Sequence, residues 1–390
     1  MTNRINFIAS LCLFALLSAT LPALAATVVV GTCVPSKASY ASLTEAVQGA
    51  PAGSTIQVCP GVYAEQVVIS KPLTLKGVTS GNGANPVLRP PAGGLVTNAY
   101  GLSVSSFWAY GTAFAAQIVI QGGVDVTLTN LALDATGSNL AACSPIAVGV
   151  LVQDSSVTLN GVAVKNQFNL CSGTGIGAGV LIQNDAGGAT TTTVKNTTFV
   201  NTGQAFESDG AGNTSTLANN SFAGNPASGY NAISILNGGS TIQNNTISNF
   251  NYPPAGVDIT LAAYGIYLYC VPSSSVVNNH IASTQVGIYA LNGCTTTAVS
   301  MTGNEISDAP IVAIDAGGAN GLVQGNDIRT TPVAIRFPGG AAGNTVQNNT
   351  INDACAVFSS NPTAGANTIL NNTIANAANL TLVTTTPVCP

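Results

Sequence analysis

Glu207 and Asp209 stand two residues apart in a chain where charge is rare, since its 390 residues carry 14 acidic side chains, 9 basic ones and a single histidine. On an extended strand, residues i and i+2 face the same way, and their Cα atoms lie roughly 7 Å apart at about 3.3 Å per residue. That spacing is near the range of the acid/base carboxylate pair that works across a glycosidic bond. It makes Glu207 and Asp209 the candidate catalytic groups, with Arg336 as the positive partner, able to hold a carboxylate by charge-assisted hydrogen bonds. Tyr267, Tyr269 and Tyr289 supply rings able to cover the apolar face of a sugar while polar neighbours bond its hydroxyls, and Asp315 joins them as a binding candidate. The plain alternatives are solvated surface carboxylates and, for Asp315 with Arg336, an exposed ion pair worth under about 1 kcal/mol. His280, Glu305 and Asp327 resemble a divalent-metal ligand set in type. Stacked in successive coils they would project in parallel without converging, so neither a metal nor any other cofactor is expected.

Such residues meet only if something places them on common faces. An Asn or Gly, two residues and then an apolar residue recur as Asn219 to Phe222, Asn244 to Ile247, Asn278 to Ile281, Gly303 to Ile306, Gly325 to Ile328, Asn348 to Ile351 and Asn371 to Ile374. The apolar member advances by 25, 34, 25, 22, 23 and 23 residues, the length of one coil in a solenoid of short strands and turns. Composition agrees. Charged residues are 6% of the chain, against about 25% in an ordinary domain, as expected where side chains stack in ladders that penalise like charges. A hydrophobic content of 46% with regular Ile, Val and Leu argues against disorder. No basic tract is present, which leaves no footprint for a nucleic-acid partner.

Each coil divides into three short strands, as in Gly149 to Gln153, Ser156 to Asn160 and Val162 to Lys165. Alternation turns Val150, Val180, Phe206, Ile233, Ile266, Ile288, Ile314, Ile335 and Val357 inward. The next residues form an outward column, Leu151, Leu181, Glu207, Ser234, Tyr267, Tyr289, Asp315, Arg336 and Phe358. Gln153, Gln183, Asp209, Leu236, Tyr269 and Leu291 form a second. The Asn tract reads as structural, because Asn tolerates left-handed turns and can hydrogen-bond along the axis.

Residues 1–25 read as a secretory signal, with Arg4, the apolar run Phe7 to Leu21 and a small-residue cleavage site at Ala23 to Ala25. No later apolar run is long enough to span a bilayer. Eight cysteines remain beyond the signal, and Cys33 with Cys59, Cys143 with Cys171, Cys270 with Cys294 and Cys355 with Cys389 each lie about one coil apart. Neighbouring strands at about 4.8 Å make consecutive pairing geometrically natural. Residues 26–99 are expected to form an N-terminal cap and the first coils, with Ala41 to Gly49 as a short capping helix. Residues 100–390 form the repeat region, one continuous domain with them.

The stretch from Tyr40 to Gly77, with a Pro-Gly-x-Tyr-x-Glu element at Pro60 to Glu65, resembles the opening of pectinesterases and of periplasmic β-helix proteins of copper-site assembly. The chain as a whole resembles the pectin-lyase-like superfamily. That resemblance implies an all-β fold: a single-stranded right-handed parallel β-helix of about ten coils at roughly 4.8 Å each, three strands per coil, with a short N-terminal helix. It implies no catalytic residues, because the Gly-His-Gly of polygalacturonases and the Asp-Pro-His-Glu of alginate epimerases are absent and His280 sits in Asn-Asn-His-Ile. The combined expectation is an exported protein that binds an extracellular or cell-wall polysaccharide on its first-strand face. The alternatives are a polysaccharide lyase, hydrolase or esterase of this fold, and a non-catalytic structural surface protein.

Overall fold

The computed structural model describes residues 24–378 apart from 38, 80, 82, 84, 103–110, 142, 172–173, 226–228, 253–258, 260–261 and 292–297. All but the last two residues of the expected signal, together with Cys294 and Cys389, lie outside the described residues.

Three short strands per coil stack into parallel sheets. The second strands form one sheet of fourteen, every neighbour parallel, beginning Ser39–Tyr40, Thr27–Val30, Thr55–Val58, Leu73–Gly77 and ending Thr345–Gln347, Thr368–Leu370. Beyond its two-residue first strand the sheet contains thirteen layers among the described residues, more than the cadence alone counts, because the divergent first hundred residues contribute coils of their own. First and third strands join in a 22-stranded sheet, because Asp327–Phe337 and Thr350–Ser360 each run from the third-strand position into the first-strand position.

Apolar residues fill the interior in columns. Phe206, Ile233, Ile266, Ile288, Ile314 and Ile335 pair in unbroken register and are fully buried. Phe199 and Phe222 stack in consecutive coils with ring centroids 4.8 Å apart. One expected position is corrected: Phe358 pairs with Ile335 and lies in the core, so Ser359, not Phe358, follows Arg336 in the outward column. The two eleven-residue strands pair from Asp327 with Thr350 to Phe337 with Ser360 at a constant offset of 23 residues, which leaves no room for a one-residue slip.

The asparagine cadence performs two tasks with two consecutive residues. Asn219, Asn244, Asn278, Gly303, Gly325, Asn348 and Asn371 all hold φ between 50° and 64°. Only Gly and, at modest cost, Asn sit readily in this left-handed region, which explains why those two types alternate. The residue that follows is an Asn, buried at every position but the last, whose carboxamide hydrogen-bonds the neighbouring coils. Asn304 accepts at Oδ1 from the backbone N and Nδ2 of Asn279, both at 3.0 Å, and donates from Nδ2 to Val276 O and Asn326 Oδ1, also at 3.0 Å. The same pattern links Asn220, Asn245, Asn279, Asn304, Asn326, Asn349 and Asn372.

Helix Leu43–Gly49 covers the first coils with Leu43, Ala46 and Val47. It starts later than the expected Ala41 because Ser42 caps it, its side chain accepting from Glu45 N. Glu65 completes the cap by accepting from Leu43 N, Thr44 N and Thr44 Oγ1 at 2.6 to 2.9 Å. Two backbone donors that a helix start always leaves over are thereby satisfied, and the final Glu of the opening motif acquires a structural role. Disulfides join Cys33 to Cys59 and Cys143 to Cys171, as the coil spacing predicts. Cys270 and Cys355 are disulfide-bonded as well.

Replacing Asn304 by Ala orphans buried donors on Asn279, and each buried polar group left unsatisfied costs about 1–3 kcal/mol. Urea unfolding should therefore show a loss of at least about 3 kcal/mol for Asn304→Ala with an unchanged m-value. Asn278→Gly, at a φ of 51°, should stay within about 0.5 kcal/mol of the parent. Equal losses for the two variants would contradict this division of labour.

Candidate functional site

The outer face of the first strands departs from simple alternation at one residue per coil. Pairing passes over Gly179, Ala205, Ala232, Gly265 and Gly287 while registering the residues on both sides. Backbone passes so close here that a Cβ at Gly265 would stand 2.6 Å from Gly287 O, and one at Gly287 2.5 Å from Ala313 O. The strand bends at this point, and the residue before the bend faces outward with the residue three positions later. Gln204 thus donates to Glu207 at 2.5 Å, Asn231 to Ser234 at 3.2 Å, and the rings of Tyr264 and Tyr267 stack at 5.1 Å.

Three zones follow one another along this face. An apolar pad built on Phe114, Val119, Val148, Leu151 and Leu181 occupies the earlier coils. A second, with Ile259, Tyr264, Val286, Tyr289 and Val312, occupies the later ones. Between them lies a polar window: Gln183, Gln204, Glu207, Asp209, Asn231 and Ser234, all buried. The carboxylates are therefore enclosed and not solvated, with Glu207 at 1% exposure and Asp209 and Asp315 at 0%.

Burial dominates their electrostatics. It pushes the Asp209 carboxyl up to about 6; a hydrogen bond from Asn237 opposes the shift, repulsion from Asp185 adds to it, and the Gly210 N–H opposes it. Asn237 Nδ2 reaches Asp209 Oδ1 at 2.8 Å, whereas the buried Oδ2 has no hydrogen-bond partner among the described residues. Burial also raises Asp315, to about 7, against the pull of Arg336, whose Nε lies 2.8 Å from Oδ2. The phenols of Tyr264 and Tyr267 are pushed up by burial and then by neighbouring tyrosines. Burial likewise raises Tyr230, with Tyr252 and then Glu207 adding to the effect.

Glu207 and Asp209 share a strand and a face. Tyr267, Tyr289 and Tyr269 form one stack, with centroids 5.6 Å apart for Tyr267 and Tyr289 and 6.3 Å for Tyr267 and Tyr269. Arg336 does not reach the carboxylate pair: it is five strand steps along the axis from Glu207, roughly 24 Å at 4.8 Å per step. It pairs with Asp315 in the adjacent coil. His280 Nδ1 contacts Glu305 Oε2 at 3.1 Å with both side chains 47% exposed, and Asp327 turns to Arg329. No group of three His, Cys, Asp or Glu among the described residues is placed to hold a metal ion.

Tyr264, Tyr230 and Tyr252 escape a reading by period alone. Strict alternation turns Tyr264 inward with Ile266; the small residue at each bend is the signal that alternation resets there. Tyr264 lies 4.8 Å from Tyr289, and its hydroxyl donates to Ile259 O at 2.6 Å. Tyr230 and Tyr252 meet edge to face at 5.3 Å from two connections that carry no repeat signal.

A family model described as a right handed beta helix region matches residues 118–351 and 264–386. Among solved structures, the chain is similar to DFA-IIIase from Arthrobacter chlorophenolicus A6 without its lid, in complex with GF2. Identity is 16%, 91% of this chain and 99% of that one are covered, and the TM-score is 0.55. A mutant of the same enzyme in complex with DFA-III matches at 16% identity over 87% of this chain and 93% of that one, with a TM-score of 0.53. PfbA, a surface adhesin of Streptococcus pneumoniae, matches at 12% identity over 86% and 87%, with a TM-score of 0.49. These likenesses concern the fold. No curated protein matches the sequence. No helix among the described residues is long and apolar enough to cross a membrane.

Between the ordinary carboxylate value and about 6, folded Asp209 keeps a proton that the unfolded chain releases, so its contribution to stability falls as pH rises through that window. Asp209→Asn should match the parent near pH 4 and exceed it above pH 7 by up to about 3 kcal/mol, from about 1.4 kcal/mol per pKa unit. Denaturant unfolding across pH 4 to 8 measures this, and a variant less stable than the parent at high pH would refute it.

Proposed function

This chain belongs to the right-handed β-helix family, and we propose that it is an exported protein that binds an extracellular or cell-wall polysaccharide along the outer face of its first strands. One observation carries the reading: the half-buried rings of Tyr267 and Tyr269, stacked on each other and backed by the buried Tyr264 and Tyr289, adjoin a window of carboxylates and amides on a single face. Flat rings cover the apolar C–H face of a sugar, and amide and carboxylate groups bond its hydroxyls. Tyr230, Tyr252, Tyr267 and Tyr269 are half-buried and present the accessible part of the platform. DFA-IIIase, of similar fold, is seen with GF2 and with DFA-III; the likeness supplies the scaffold, and the side chains supply the argument. Export is supported by the disulfides, which persist in oxidising compartments.

A hydrolytic reading rests on Asp209. Its carboxyl, raised to about 6, suits a general acid, and Glu207 two residues away suits the second carboxylate. No positive group stands beside the pair among the described residues, since Arg336 lies far along the axis and is paired with Asp315. Binding is therefore the leading proposal.

Tyr267→Ala combined with Tyr269→Ala should weaken glycan binding at least tenfold, as read by calorimetry with circular dichroism as a check on the fold. Undiminished affinity would reject the platform. In a reducing-end assay the parent should release no product. Release that disappears in both Glu207→Gln and Asp209→Asn would replace the binding reading with hydrolysis.

A further inference from the structure

The charge arrangement on this face narrows the kind of sugar. We infer that the platform takes an uncharged, hydroxyl-rich glycan and rejects uronate polymers, a conclusion that rests on the glycan-binding reading above. Among the described residues of the three outward columns, the acidic groups are Glu207, Asp209 and Asp315, and Arg336 is the only cation. Arg336 is occupied by Asp315 at 2.8 Å and sits five strand steps from Glu207. A uronate carboxylate laid on the tyrosines therefore meets no free positive group, and it meets the field of Glu207.

That field reaches the platform. Glu207 is among the groups that hold the phenols of Tyr230 and Tyr267 in their neutral form, after burial and neighbouring rings. An additional negative charge at the same place is disfavoured for the same reason, and more strongly where water is excluded.

The polar window also offers a positive preference. Gln183 and Asp209 pair in adjacent coils on the same face. Gln183 Nε2 and Asp209 Oδ2 are both buried without a hydrogen-bond partner among the described residues, while Gln183 Oε1 already accepts from Leu102 N at 3.2 Å and Gln153 Nε2 at 3.4 Å. One donor and one acceptor on paired residues of one column are satisfied together by a group that both accepts and donates, as a hydroxyl does. A carboxylate satisfies only Gln183 and repels Asp209.

The test is calorimetric titration of the full chain with two sets of hexasaccharides. One set is uncharged: cello-, malto-, xylo- and fructo-oligosaccharides. The other is oligogalacturonate and oligomannuronate, each titrated in EDTA and in calcium. At least one uncharged glycan should bind tenfold or more tighter than either uronate under both conditions. Glu207→Gln with Asp209→Asn should shrink that ratio at least fivefold by strengthening the uronates. Uronate binding equal to or tighter than that of every uncharged glycan, with or without calcium, overturns the inference and leaves the glycan-binding reading standing. Binding of neither set removes both. An unchanged ratio in the double variant, with the fold intact by circular dichroism, overturns the electrostatic basis.

Discussion

From Asn220 onward, each coil is locked to the next by an asparagine whose carboxamide hydrogen-bonds the neighbouring coils. The ladder from Asn220 to Asn372 keeps the same contacts although successive members are separated by 22 to 34 residues. Differences in coil length are therefore absorbed outside the ladder, chiefly in the connection that follows Thr246–Ser248 and precedes Tyr264–Tyr269. A buried carboxamide left half-satisfied costs more than an apolar residue in its place. The register of the columns from Glu207 onward, where they build most of the candidate site, rests on this constraint.

Much of the architecture can be read from the chain because the repeat states it many times. The Asn or Gly positions correspond to the left-handed turns, and the columns through Glu207, Tyr267 and Asp315 follow from counting. Three things cannot be counted. The reset of alternation at Gly265 and its equivalents depends on how closely backbones pass, so counting alone puts Tyr264 on the wrong side. The exchange of Phe358 for Ser359 depends on a strand that runs through two faces. Burial of Glu207 and Asp209 is the third, because the period tells that a ladder position faces outward and not whether it is covered.

A chain this poor in charge nevertheless encloses three carboxylates on one face, and each is handled differently. Glu207 receives a hydrogen bond from Gln204, Asp209 one from Asn237, and Asp315 the guanidinium of Arg336. Only the last is offset by an opposite charge, yet burial still dominates its titration. Enclosing ionisable groups in this way costs stability. The rest of the solenoid avoids that cost by using Thr, Ser and Asn on many outward positions and by leaving ionisable groups such as His280, Glu305 and Arg329 exposed. Confinement of the enclosed charges to two patches on one face is what distinguishes that face from the ladders around it.

The bend at the small residues has an evolutionary consequence. Inward positions are fixed by packing against the coils before and after, but residues on the far side of the bend take no part in that packing. Gln204 with Glu207, Asn231 with Ser234 and Tyr264 with Tyr267 occupy equivalent places in three consecutive coils with unrelated chemistry. Each coil thus carries an exchangeable pair of residues on an unchanged frame. A new specificity can arise by rewriting one coil, or by duplicating one, without renegotiating the core.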